Sequence, residues 1–186
     1  MLRAVPFYYL RHGQTDWNLE GRFQGQNDIP LNAYGELQAR NAAHRLRDEA
    51  IACIVASPLQ RAMRTAEIVN ETLRQPLIAL DGLREIAFGE WEGTIMDPAA
   101  YAEWRAGRVA PKGAETLTAF HARVLATVNE ALDRPGPVLI VGHGGIYWGV
   151  ERHGAFPTHL SLPNATPVLH TPPRDGAPWS RQNLGE

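Results

Sequence analysis

The sequence predicts an α/β fold: a three-layer sandwich in which a mainly parallel sheet carries helices on both faces. Short apolar runs at residues 5–10, 51–56, 77–80 and 137–142 have the length of buried strands, and helical patterns alternate with them. Two of these runs lead directly into histidines, Arg11-His12 after the first and Val141-Gly142-His143-Gly144-Gly145 at the last. In open α/β sheets the ligand crevice lies at the carboxyl ends of the strands. With 186 residues the chain is expected to form one domain around a single core, with a poorly ordered tail from about 172.

The first run, Val5-Pro6-Phe7-Tyr8-Tyr9-Leu10, ends at Arg11 and His12, and residues 19–31 read as loop. Asn32 is a good N-cap for a helix that runs through Leu37, Ala42 and Leu46 toward Glu49. The second run holds the single cysteine, Cys53, which reads as a small buried hydrophobe; one cysteine offers neither a disulfide within the chain nor a cysteine-based metal site. Ser57-Pro58-Leu59-Gln60 reads as a helix start, with serine as N-cap, proline at the first helical position and glutamine three residues after the cap. Arg61 then falls in the opening turns, where unpaired N–H groups and the helix dipole favour a phosphate. The plainer alternative is a surface pair with Glu67 or Glu71.

The strand at 77–80 leads through Asp81-Gly82 into Leu83-Arg84-Glu85-Ile86-Ala87-Phe88-Gly89-Glu90-Trp91-Glu92-Gly93. Residues 94–114 mix prolines and glycines with Tyr101 and Trp104, which predicts a short helix flanked by loops, a lid or substrate wall. From Glu115 to Asp133, Leu117, Phe120, Val124, Val128 and Leu132 recur at helical spacing as a core stripe. Beyond Gly149 the pattern weakens under Pro157, Pro163, Pro167, Pro172, Pro173 and Pro178, although Pro167-Val168-Leu169-His170 reads as an edge strand. Trp104, Trp148 and Trp179 are expected as exposed aromatics for a dimer interface, a substrate wall or packing.

The 18 basic and 20 acidic residues leave a formal charge of -2, which argues against broad electrostatic binding to nucleic acid or membrane. No run has the length needed to cross a bilayer, and no secretory signal pattern opens the chain, so a cytoplasmic location is expected.

A phosphate monoester needs an in-line nucleophile, positive groups around the transferring oxygens and a proton for the departing alkoxide. His12 suits the first task, Arg11 and Arg61 the second through their rigid donor forks, and His143 adds positive hydrogen-bonding character. Glu85, Glu90 and Glu92 all qualify as the acid, and chemistry alone does not choose among them.

The chain resembles the histidine phosphatase superfamily, whose fold is phosphoglycerate-mutase-like. The resemblance spans most of residues 5–145 through segments in one order: Arg11-His12-Gly13 with Thr15 and Trp17-Asn18; Arg22-Phe23-Gln24-Gly25; Leu31 through Gly35; Ser57 through Ala62 with Thr65-Ala66; Leu83-Arg84-Glu85; Gly89 through Gly93; and His143-Gly144. It implies that His12 is transiently phosphorylated, that Arg11, Arg61, His143 and Gly144 surround the phosphoryl group, and that Asn18 is a further phosphate contact. It makes Glu85 the proton donor and places Gln24 and Gly25 at the substrate mouth. Glu85 must begin protonated, which favours a mildly acidic optimum unless its surroundings raise its pKa. The scheme needs no metal and no cofactor, and a His12–His143 metal pair lacks the further ligands a stable site requires.

The expected function is hydrolysis of small phosphorylated metabolites, with a homodimer as a possible assembly and no nucleic-acid or membrane partner. The alternatives are a cofactor-dependent phosphoglycerate mutase and, in another class, a phosphoester-binding or regulatory protein with weak turnover. Mutases resemble the same motifs but carry longer intervening segments with extra basic residues; here the lysines and arginines of the interval between acid and second histidine are Arg105, Arg108, Lys112, Arg123 and Arg134.

Overall fold

A computed structural model describes residues 1–156, 158–174 and 177–185. The elements in chain order are β1 (Phe7–Arg11), α1 (Asp16–Leu19), α2 (Ala33–Leu46), β2 (Cys53–Ala56), α3 (Gln60–Leu73), β3 (Leu77–Ala79), α4 (Pro98–Arg105), α5 (Leu117–Leu132), β4 (Val138–Gly142), α6 (Gly144–Gly154), β5 (Pro167–Thr171) and β6 (Ser180–Asn183). The sheet order is β3-β2-β4-β1-β5-β6. The first four of these are mutually parallel, β5 runs antiparallel to β1, and β6 runs antiparallel to β5.

Period-two alternation along the buried strands sends side chains to two cores. Tyr9, Val55 and Ile140 face Phe120 and Val124 of α5 and Ile146 and Val150 of α6. Leu10, Ile54 and Val141 face Ala42 and Leu46 of α2 and Ala62, Ala66 and Val69 of α3. The three-layer α/β arrangement is therefore as the sequence predicts, with each strand within two residues of its expected bounds.

The differences lie at boundaries and at the C-terminal end. Helix α2 stops at Leu46, short of Glu49, and the four-residue α1 precedes the loop expected at 19–31. The helix after β2 begins at Gln60 with Leu59, not Ser57, in the cap position. Its cap comes from elsewhere: the Asp28 carboxylate accepts from the Gln60 N–H at 2.6 Å, and the Gln60 side chain returns a bond to the Asp28 carbonyl. This releases the Ser57 hydroxyl for another task. Helix α6 runs five residues past Gly149, because Val150 and Glu151 are both buried against the rest of the fold. β5 is not an edge strand, since β6 pairs along it.

The segment from 172, expected as a loose tail, contains β6 and Trp179, which is buried against Phe7 and Phe156. Trp104 is 2 % exposed, so it and Trp179 are core residues and not surface aromatics. Pro157, and residues 175, 176 and 186 of the expected tail, lie outside the described residues. Among the described residues no helix is long and apolar enough to cross a membrane.

Candidate active site

The sheet order brings the two histidines together. β1 and β4 are adjacent and parallel, with Arg11 opposite Gly142, and the His12 N–H donates to the Gly142 carbonyl at 2.9 Å. The backbone leaves both strands at the same level, so the His12 and His143 rings stand 5.2 Å apart at 58°. Both are buried.

The His12 Nδ1 lies 2.7 Å from the Gly13 carbonyl. A carbonyl only accepts, so Nδ1 carries the ring proton and Nε2 keeps its lone pair. Burial, then Arg61 and Arg11, hold the His12 pKa well below its ordinary value, so the ring is neutral. The Gly13 N–H is anchored on the Thr65 hydroxyl at 3.0 Å, and the His12 carbonyl accepts from Asn164.

His143 is held by Ser57 and Tyr9. Its Nε2 is 2.8 Å from the Ser57 hydroxyl, while the Tyr9 hydroxyl donates to the His143 carbonyl and accepts from its N–H. Burial and the nearby Arg61, His12 and Arg11 push its pKa well down. His143 is thus a neutral hydrogen-bonding group where the sequence suggested a positive one. Its Nδ1 is buried without a protein partner.

Arg61 is fully buried on α3, with its two terminal nitrogens donating to the carbonyls of Asn27 and Gly25. Gly25 adopts φ +51, and a Cβ there would strike the Glu92 carboxylate, so glycine is what lets this carbonyl face Arg61. The surface-pair alternative fails: the Glu67 partner is Arg64 and the Glu71 partner is Arg40. Arg11 donates to the Leu162 carbonyl at 3.0 Å. The Nε atoms of Arg11 and Arg61 are both buried without partners. Desolvation lowers both pKa values, that of Arg61 to about 10, which still leaves it charged at neutral pH.

Of the three candidate acids, Glu85 is the one that lines the same cavity as His12. Its carboxylate accepts from the N–H groups of Ile86 and Gly145, and its charge acts on Arg11, Arg61 and Tyr9. Glu90 instead accepts from Lys112 N–H, and Glu92 from Gln26 and Phe88 N–H, tasks that hold loops. Asn18 closes a capping box with Thr15, so its side-chain carbonyl is occupied. Arg11, His12, Asn18, Gln24, Gly25, Arg61, Glu85 and Gly144 all line one cavity of about 370 Å³, and Phe23, Phe88, Tyr101, Trp104 and Trp148 add aromatic wall to it. The segment 94–114 and the start of α6 thus supply aromatic wall through Tyr101, Trp104 and Trp148. Among the described residues no group of three His, Cys, Asp or Glu is placed to hold a metal ion.

The family model described as histidine phosphatase superfamily (branch 1) matches residues 7–163. The chain belongs to that superfamily. It is 43 % identical over 138 residues to a Bacillus subtilis protein named as the uncharacterized phosphatase PhoE, covering 73 % of this chain and 69 % of that one. It is 38 % identical over 152 residues to a Klebsiella pneumoniae protein named as the probable phosphoglycerate mutase GpmB, covering 75 % and 70 %. Among solved structures, a mycobacterial glucosyl-3-phosphoglycerate phosphatase superposes with a TM-score of 0.81 at 30 % identity, over 97 % of both chains. A phosphoglycerate mutase from Thermus thermophilus gives 0.74 at 32 %, over 89 % and 92 %. The fold of this superfamily member is thus phosphoglycerate-mutase-like throughout.

Ser57, Tyr9, Thr65, Asn164 and the Leu162 carbonyl are the site residues that sequence reasoning did not assign. Ser57 and Thr65 stand inside the motifs but read as helix-forming residues. Asn164 and Leu162 sit in a proline-rich stretch without periodicity, which gives no signal of their approach to residues some 150 positions earlier.

Proposed function

We propose that this superfamily member is a phosphomonoesterase that hydrolyses small phosphorylated metabolites through a phosphohistidine on His12, with Glu85 as proton donor. The observation that carries the reading is the state of His12: neutral, with Nδ1–H fixed on the Gly13 carbonyl, so Nε2 keeps a lone pair in a cavity that Arg11 and Arg61 also line.

In the first step the Nε2 lone pair attacks phosphorus, the ester P–O bond breaks, and the Glu85 carboxyl proton passes to the leaving oxygen. Arg11, Arg61, the His143 Nδ1–H, the Asn18 amide and the N–H at Gly144 stabilise the equatorial oxygens. In the second step the Glu85 carboxylate takes a proton from water as that water attacks the phosphohistidine, and inorganic phosphate leaves. Charge stabilisation comes from two buried guanidinium groups and neutral donors, each of which counts for more there than in bulk solvent. Gln24 and Gly25 border the mouth, and a soluble cytoplasmic enzyme acting on metabolites fits this reading.

The test is rapid alkaline quench after mixing with a ³²P-labelled ester. Label is expected on His12 and absent from His12→Ala; label on serine, or none under effective trapping, overturns the mechanism. Assay of 3-phosphoglycerate with 2,3-bisphosphoglycerate distinguishes the mutase: efficient isomerisation would make a substrate hydroxyl, not water, the acceptor.

A further inference from the structure

Glu85 stands on a stretch of chain without regular structure. The 3₁₀ turn Asp81–Leu83 ends before it, and residues 85–88 belong to neither helix nor strand. A proton donor must sit within hydrogen-bond reach of the oxygen it serves, yet no ladder of backbone bonds sets where this one stands.

The backbone there is tied from outside, by Arg123 on α5. Its Nη1 donates to the Gly82 carbonyl at 2.7 Å and to the Arg84 carbonyl at 2.8 Å. The other edge of the guanidinium, Nε and Nη2, grips the Glu115 carboxylate at 2.9 and 2.5 Å. These bonds leave one rigid planar fork, which fixes their directions. Glu115 closes the far side, because its own N–H donates to the Ala87 carbonyl at 2.9 Å. The ion pair thus holds the chain at Gly82 and Arg84 before Glu85 and at Ala87 after it. It is sheltered, with the two side chains 24 % and 17 % exposed and the guanidinium 5.3 Å from the Phe120 ring centroid. Gly82 belongs to the same fit, since a Cβ there would meet the Thr127 hydroxyl of α5 at 1.9 Å. With its backbone set in this way, the Glu85 carboxylate reaches the N–H groups of Ile86 and Gly145.

We propose that Arg123 and Glu115 are positioning residues whose ion pair fixes the irregular chain from Gly82 to Ala87, so that the Glu85 carboxyl meets the leaving oxygen of the ester. This rests on the reading of Glu85 as proton donor. Neither side chain lines the cavity, so both act through Glu85 and not on the substrate. Their effect follows the proton that the leaving group needs: large for an ester whose oxygen must be protonated as the P–O bond breaks, small for one that departs as a stable anion.

The test compares kcat/KM, which covers the steps up to P–O cleavage, for phenyl phosphate and 2,4-dinitrophenyl phosphate. Arg123→Gln should lower it on the order of 10²-fold for phenyl phosphate, the size of a misplaced catalytic group, and by less than about threefold for the dinitrophenyl ester. Arg123→Lys should recover part of the loss, and Glu85→Gln gives its full size. If Arg123→Gln fails to fold, Glu115→Gln, which keeps an acceptor but ends the ion pair, should show the same selectivity on a smaller scale. Equal loss on both esters, or loss on neither, overturns the proposal. Amide hydrogen exchange followed by NMR reads the placement without turnover. Arg123→Gln should speed exchange at the Gly145 and Ile86 N–H groups by about tenfold or more, and leave unchanged the His12 and Ser57 N–H groups, bonded to the Gly142 and Val141 carbonyls. Uniform acceleration, or none, overturns the proposal. If the wild type turns over neither ester, or Glu85→Gln lowers both alike, the reading of the site fails, while exchange still decides whether the ion pair places Glu85.

Discussion

A single hydroxyl meets the ring of His143. Ser57 Oγ accepts from the Leu59 N–H and lies 2.8 Å from His143 Nε2; with the Ser57 proton on that bond, Nδ1–H is left as a buried donor without a protein partner. Ser57→Ala should lower kcat on the order of tenfold while Ser57→Thr, which keeps the hydroxyl, retains most of it; stopped assays under saturating substrate read the difference. Glu85 depends on an equally close approach. A Cβ on Gly145 would come within 2.2 Å of the Glu85 carboxylate, so Gly145→Ala must displace it from the Gly145 N–H. The expected outcome is a kcat loss of roughly 10²-fold with the fold intact by circular dichroism.

Two elements owe their ends to distant residues. α3 is capped by Asp28, so Asp28→Ala should cost about 1 kcal/mol in urea denaturation, and it also loosens the loop whose carbonyls hold Arg61. α6 owes its length to Glu151, a buried carboxylate that accepts from Arg181 of β6, from His159 and from the Leu160 N–H. Arg181 in turn donates to Thr158. This group fastens residues 158–162, of which 159–162 line the cavity, to α6, the helix that His143 precedes. Glu151→Ala strands Arg181, itself largely buried, and should destabilise by about 3 kcal/mol. KM should rise more than kcat falls, since the wall loosens while His12 keeps its own bonds.

For the whole molecule, the consequence is acid lability. His12, His143 and His170 are buried neutral; burial is the main cause, and it takes His170 to about 3. Below about pH 6.5 the unfolded chain binds protons that the folded one does not, so stability is full above that pH and is lost as pH falls toward the folded values. Each such histidine contributes up to about 1.4 kcal/mol per pH unit in that window. His170 lies opposite Phe7, at the other end of β1 from His12, stacked on Phe7 and bonded to the Tyr147 hydroxyl. His170→Gln should therefore reduce the slope of stability between about pH 6 and 4 by that amount, as read from denaturant midpoints across pH.

The local sequence determined the strands, the main helices and the placing of Arg11, His12 and His143 at strand ends, because apolar period, the Asn32 cap and the Arg11-His12 and Gly142-His143 exits from strands are written in neighbouring residues. Glu85 could not be chosen over Glu90 and Glu92 by local chemistry, since all three lie on one irregular stretch; only the approach of Gly145 N–H separates them. The same limit hid the duty of Ser57, which looks like a helix cap until Asp28 takes that place. It also hid the order in the C-terminal segment, whose prolines suppress periodicity while Trp179 and Arg181 find partners on β1 and α6. Contacts between residues far apart in the chain leave no periodic trace, so the partners of the Glu85 carboxylate, the surroundings of the second histidine and the cavity wall were decided by tertiary structure alone.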